Sequence, residues 1–459
     1  MTSLAATPSA PSVGAMRIAL LAQFGIFGVV GAQWLARLPS VRATLGLDAL
    51  ELGGLLTIGG LGTLVSVLLT GGLVTRFGAR RVLVAGTLTS ALGFGLVALG
   101  LATSSVVTLV VGLVVNGVSG AFINIPINIA GAAVERRLGR TVLPHFHATF
   151  SVGAALGTLI AAGFSWGHVA VEVQISVVLV VATVLRVVTL RAASAATDAV
   201  PDDAVPDEAV PDADVPDDAS ATADAVRAVA GAPAVDDVVT ADAADATEAA
   251  RRTNASTRPA SPASRGFRSA LGAWTEPRTL LLGLVLLASS LSEGSAGTWL
   301  SIAVTDGFAA REAVGAIAYG TFVAAMTIVR FAGTGLVDRF GRVAVVRSSG
   351  VSAFVGLALF ALAPSLATAW IGIVLWGAGA ALVNPVTIAA ASDDPLHAAS
   401  RVSVASSFST IAMLTAPPVL GALVDGLGAR HALGLITIAT VLSMSLAGQL
   451  RPRPTSAVR

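Results

Sequence analysis

Glu293 is the residue whose surroundings make its chemistry most conspicuous. It stands in Ser289-Ser-Leu-Ser-Glu293-Gly-Ser-Ala-Gly297-Thr-Trp299, inside a long apolar stretch. An ionisable group at that depth in lipid costs at least ~2.5–3.5 kcal/mol and usually faces a cavity or a partner. Burial favours the protonated carboxyl, which suits coupling to proton movement. The plainer reading is a structural hydrogen bond to a neighbouring helix. The apolar run is expected to end near residue 300, about seven residues or ~10 Å beyond Glu293. Arg330 lies in the next apolar run, offset from Glu293 by roughly 15 Å along the axis, so no direct pair is expected. It would bind an anionic group of a solute or brace the loop that contains Asp338.

Histidine as a residue type can shuttle protons, so His147 could do so, or simply pack at a helix start. His145, two residues away, does not share its helix face, so no metal site is expected. Asn124 and Asn128 are four apart and share a face around Pro126, and Asn384 precedes Pro385. Buried amides need partners, and solute hydroxyls could supply them to these asparagines and to Gln23. Trp34 and Trp299 read best as interfacial anchors. The chain has no cysteine, and all 28 basic residues are arginine, so the lysine of a phosphate-binding loop is missing. No His-Glu-x-x-His or Gly-x-Ser-x-Gly pattern appears. No enzymatic activity, cofactor or metal is therefore expected, and no coherent basic surface points to nucleic acid.

The elements that must hold these residues follow from composition. Of 459 residues, 54% are hydrophobic and 12% charged, and mean hydropathy is +0.82. Soluble domains carry roughly 25% charged residues, so lipid must be the solvent here. A bilayer crossing takes about 20 apolar residues. Twelve such runs are predicted at 16–36, 49–73, 82–101, 106–129, 146–166, 171–190, 279–300, 313–335, 343–363, 366–390, 403–424 and 431–449. The fold class is thus an all-α membrane protein. Its expected divisions are a tail 1–15, a six-helix bundle 16–190, a linker 191–270, a second bundle 271–450 and a tail 451–459. The linker carries four Val-Pro-Asp repeats among many Ala, Asp and Thr, and is predicted to be disordered. Arg37, Arg42, Arg311 and Arg430 fall in loops of one face and Arg186 and Arg330 within helices. The remaining 22 arginines fall on the other face. That bias predicts a cytoplasmic linker and cytoplasmic termini in a bacterial inner membrane.

The halves repeat. Gly72-Leu-Val-Thr-Arg-Phe-Gly78 returns as Gly335-Leu-Val-Asp-Arg-Phe-Gly341, Asn124 as Asn384, and Phe150-Ser151 as Phe408-Ser409, at offsets of 263, 260 and 258. The loop Gly71-Gly-Leu-Val-Thr-Arg76-Phe-Gly78-Ala-Arg80-Arg81 resembles the signature loop of the major facilitator superfamily. Leu336-Val-Asp338-Arg339-Phe-Gly341-Arg342 is similar and keeps the acidic residue that Thr75 replaces in the first copy. Three further segments resemble the bacterial MosC-like branch, associated with rhizopine transport. They are Trp34-Leu-Ala-Arg37-Leu-Pro39-Ser-Val-Arg42, Val134-Glu135-Arg136-Arg137-Leu-Gly-Arg140 and His145-Phe-His147-Ala-Thr-Phe150-Ser151-Val-Gly153.

The resemblance implies two pseudo-symmetric halves rocking about a central cavity. It also implies loop arginines that pair with carboxylates in one state and release them in the other. Arg76, Arg80 and Arg81 with Glu135, beside Arg136, are the first-half candidates; Asp338, Arg339 and Arg342 with Asp393 or Asp394 are the second-half ones. The function expected is secondary transport of a small polar, sugar-like solute coupled to protons, by a monomer in the lipid bilayer. Efflux of sugars or drugs and a non-cycling solute sensor are the rivals.

Overall fold

The computed structural model describes residues 11–139, 142–198, 273–394 and 397–452. The expected linker from 199 onward, the first ten residues and the last seven lie outside the described residues. Among the described residues, twelve helices are long and apolar enough to cross a membrane. They are α1 (Val13–Leu35), α2 (Ala49–Phe77), α3 (Ala79–Ala102), α4 (Val106–Leu138), α5 (Leu143–Trp166) and α6 (Val171–Asp198), then α7 (Pro277–Gly307), α8 (Glu312–Phe340), α9 (Arg342–Leu362), α10 (Leu366–Ala391), α11 (Ala398–Leu427) and α12 (Ala429–Leu450). The helices outrun their apolar cores. α7 ends at Gly307 where residue 300 was predicted, and α6 runs on to Asp198 where 190 was predicted. Polar ends continue a helix beyond hydrocarbon as readily as apolar ones, so hydropathy marks the membrane core, not the helix end. A short helix, Leu38–Leu45, follows α1 with Pro39 in its first turn.

The sequence repeat reappears as matched local structure. Gly78 and Gly341 each join two helices by a single residue, at φ +81° and +77°. Only glycine takes that conformation without strain, which is why the signature loop needs it there. Ser105 caps α4 by accepting from Thr108 N, and Ser365 caps α10 by accepting from Thr368 N, again 260 residues apart. In lipid, helices associate through close backbone approach. Gly93 of α3 and Gly112 of α4 face one another closely, and Gly356 of α9 and Gly372 of α10 repeat the contact.

The prolines also have consequences. Pro418 has no N–H, so the Leu414 carbonyl one turn earlier lacks its helical donor. Thr57 Oγ1 of α2 lies 3.2 Å from it across the two halves, and 2.9 Å from Gly53 O on its own helix, so its one proton is shared between the two carbonyls. The halves meet along two seams, α2 against α11 and α5 against α8. The seams are tight at the face away from the chain termini. There Gly53 abuts the Pro417 backbone, and Gly421 abuts Ala49. The outer surface of the bundle is apolar: α6 turns Val180, Val184 and Val188 outward, each more than half exposed, while Ile175, Val178 and Ala182 are buried.

A side chain at Gly372 would collide with the Gly356 and Phe360 backbones, whereas Gly120 has open space. Gly372→Val should cost about 1–3 kcal/mol of overpacking and lower the unfolding temperature in detergent. Gly120→Ala should leave it unchanged or raise it slightly. Equal effects of the two would refute the close-approach account.

Candidate functional site

A cavity of about 690 Å³ lies between α5 of the first half and α8 and α10 of the second. It extends toward the face of the termini, where Asp338 and Arg342 line it. At the opposite face the halves are closed by polar contacts. Glu312, at the start of α8, accepts from Ser40 N (2.8 Å), Ser40 Oγ (2.7 Å) and Ser165 Oγ (2.9 Å), and pairs with Arg37 at 3.0 Å. Arg37 is 3% exposed; burial pulls its pKa down and the Glu312 carboxylate opposes that. Arg37 also donates to Gln174 Oε1 and to the Val169 carbonyl. Beside this group, Arg42 pairs with Asp306 at 2.9 Å and Arg311 sits over the Trp166 ring.

The centre of the second half is built from backbone outward. Pro385 has no N–H to give to Ala381 O, and α10 is interrupted between Ala380 and Val383. Arg330 Nε donates to that carbonyl at 3.1 Å. Its Nη2 donates to both oxygens of Glu293, at 3.1 and 3.2 Å, and Asn384 Nδ2 donates to the same carboxylate at 3.2 Å. Glu293 and Arg330 therefore form a direct pair, which helix arithmetic on the apolar runs did not lead one to expect. The correction lies in the true helix ends. Glu293 is 14 residues from the end of α7 and Arg330 is 18 from the start of α8. The real offset is four residues, about 6 Å, which an arginine side chain spans.

The other expected residues distribute as follows. His147 lines the cavity from α5, facing the α8 wall that holds Arg330. Asn128 Nδ2 donates to Asn124 Oδ1 at 2.9 Å and to Asn124 O at 2.8 Å, an amide pair on α4. Gln23 is fully buried and donates to Arg186 O and Thr189 Oγ1, tying α1 to α6. Trp34 and Trp299 are buried among core side chains, not anchored at an interface; α7 continues past Trp299 by eight residues, so that ring is nowhere near its end.

The loops divide by half. In the second, Asp393 accepts from Arg342 (2.5 Å) and Arg278 (3.3 Å). Arg401 bridges Asp394 (2.9 Å) and Glu276 (2.7 Å). The Arg401 hydrogen bond holds the Glu276 carboxyl below the usual range. Asp338 lines the cavity and Arg339 sits over Phe340. In the first half, Gly71 falls within α2, Arg76 lies over Phe77, Arg80 and Arg81 open α3 beyond Gly78, and Arg136 closes α4. Glu135 Oε2 accepts from Val142 N and Leu143 N, capping α5. Sequence reasoning singled out neither Glu312 nor Asp306 as a partner. Arg37 and Arg42 stood in a recognised segment, but their partners lie more than 260 residues away and no local pattern marks them.

Arg330→Met would strand the Glu293 carboxylate. It should destabilise the protein by about 1–3 kcal/mol, less than for a fully buried pair because the site opens to a cavity. Adding Glu293→Gln should recover most of that loss in a thermal unfolding series; a strictly additive double variant would disprove the pairing.

Comparison with known proteins supplies the remaining observation. The family model described as Major Facilitator Superfamily matches residues 19–403 and 282–458. An uncharacterised transporter, y4wD of Sinorhizobium fredii, is 28% identical over 433 residues, covering 94% of this chain and 97% of that protein. Membrane protein MosC of Rhizobium meliloti is 24% identical over 176 residues, 38% of this chain and 43% of MosC. A crystal structure of a variant of the nucleoside transporter NupG superposes with TM-score 0.68 at 12% identity, covering 96% of this chain and all of that one.

Proposed function

The chain belongs to the Major Facilitator Superfamily, and from that premise we propose that it moves a small polar solute into the bacterial cell by alternating access, driven by protons. The observation that carries this reading is the cavity between the halves, with the Glu293–Arg330–Asn384 cluster beside it. A volume near 690 Å³ suits a small organic solute. The conformation fits the inward-facing member of an alternating pair: Glu312 and Asp306 close one face, and the cavity extends toward the other. The arginine bias supports a cytoplasmic position for that second face and both termini.

In this reading Glu293 is the coupling group. It is ionised while Arg330 holds it, and a proton arriving through the cavity competes with the guanidinium. Rocking to the outward-facing state must break the Glu312 and Asp306 contacts. Arg342 and Asp393 then tie the α8–α9 turn to the end of α10 through the motion, so that the second half moves as one body.

Uptake into right-side-out vesicles under an imposed pH gradient tests the coupling. Glu293→Gln should abolish gradient-driven accumulation while leaving solute exchange at equilibrium intact. Full accumulation by this variant would remove Glu293 as the coupling group. Reversal of the gradient response in inverted vesicles would assign export instead. Protease accessibility of tags at both ends checks the cytoplasmic assignment.

A further inference from the structure

The guanidinium of Arg330 is only partly engaged. Its Nε serves the Ala381 carbonyl and its Nη2 serves both Glu293 oxygens. Among the described residues Nη1 has no hydrogen-bond partner, while Arg330 lines the cavity and is about a third exposed. If Glu293 were neutral, Nη1 and Nη2 would be free together, and that two-pronged edge matches a carboxylate. Besides Arg330, the charged or imidazole side chains on the cavity wall are His147 and, at the mouth, Asp338 and Arg342. The Ser151 hydroxyl is committed to His147 O at 3.3 Å and the Thr327 hydroxyl to Val323 O at 2.7 Å, each on its own helix. Phe150 from α5 and Phe331 from α8 supply apolar walls from both halves, with Leu382 and Val386 on α10.

We propose that the cavity takes a small monocarboxylate with an apolar or aromatic body, whose anion replaces Glu293 on Arg330 when Glu293 takes up a proton. This narrows the transport reading above and rests on it. The exchange is balanced. One O–H bond forms on Glu293 as one O–H bond of a hydronium ion from the solvent breaks, leaving a neutral water molecule. The ion pair with Arg330 passes from the protein carboxylate to the solute carboxylate, and the site's net charge does not change. One proton therefore accompanies each anion, and the loaded site is as neutral as the empty one.

The groups facing Glu293 allow this. Arg330 is its cationic partner on α8 and Asn384 its amide partner on α10. The Tyr319 hydroxyl of α8 lies near Gly297, one turn along α7. His147 stands across the cavity on α5, with Asp338 and Arg342 at its mouth. The titratable residues of α11 (Arg401, Asp425), α12 (Arg430, His431) and α1 (Arg17) sit near helix ends, and α10 has none.

The test uses purified full-length protein in detergent, with acetate, benzoate and phenylacetate, each against its neutral amide, from pH 6 to 8. At least one carboxylate should bind and its amide should not. Its Kd should rise about tenfold per pH unit wherever Glu293 is ionised, as one linked proton requires. Glu293→Gln should bind the anion with less than about a twofold change across the range. The pair of changes Glu293→Gln with Arg330→Met, which strands no carboxylate, should bind none. Equal binding of the amide, a wild-type pH slope in Glu293→Gln, or no carboxylate bound at all overturns the proposal. Counterflow in proteoliposomes separates it from the transport reading. A sugar that exchanges while no carboxylate binds removes the carboxylate site and leaves transport standing. Proton-linked carboxylate binding with no exchange of any solute removes transport alone.

Discussion

A backbone carbonyl without a donor sets the chemistry of the second half. In water such a group is solvated at no great cost; in lipid it must be answered by protein. Pro385 creates that need at Ala381, and Arg330 meets it. A guanidinium at that depth then needs an anion, and Glu293 on α7 supplies one. The carboxylate in turn engages Asn384, the residue next to the proline that began the sequence of obligations. Three helices are thereby held to one another by a polar cluster whose members each exist to satisfy the last.

In the first half the proline falls one position later: Pro126, inside α4, withholds its N–H from the Phe122 carbonyl rather than from Ala121. Ile125 stands where the repeat would place Pro385, so α4 keeps its helical donor at Ala121. Val67 occupies the position matching Arg330, and it packs against Ala121 and Ile125 as an ordinary apolar contact. The amides Asn124 and Asn128 bond to each other, one turn apart. Two halves of common pattern thus differ in how their centre is built: α4 and α2 meet there through apolar side chains and an amide pair, while α8, α10 and α7 meet through Arg330, Asn384 and Glu293.

How far this was readable beforehand depended on whether a feature was local. Composition and apolar run length sufficed for twelve spans, because the cost of crossing lipid is paid residue by residue. The repeated glycine loop was readable because a one-residue turn at positive φ has a fixed residue requirement. Glu293, Arg330 and Asn384 stood out as polar groups in apolar runs, yet their pairing did not. It depended on helix ends that hydropathy does not mark, and an error of seven residues in α7 shifted Glu293 by about 10 Å. Gln23 looked equally suited to a cavity, but nothing in the residues around it reveals which face of α1 meets α6. Glu312 escaped notice because a carboxylate at a helix start is commonplace; its importance comes from Arg37, Ser40 and Ser165 converging on it from the other half.

α8 carries Glu312 at one end and Arg330 eighteen residues further on, in one unbroken helix. With no break in its hydrogen-bonded run, such a helix passes movement at one end on toward the other. Any tilt that draws Glu312 away from Arg37 must swing Arg330 relative to His147 on α5 in the same instant. In the proposed transport cycle, access from one side of the bilayer and grip on a solute in the middle would then be two readings of a single lever's angle, with no messenger between them.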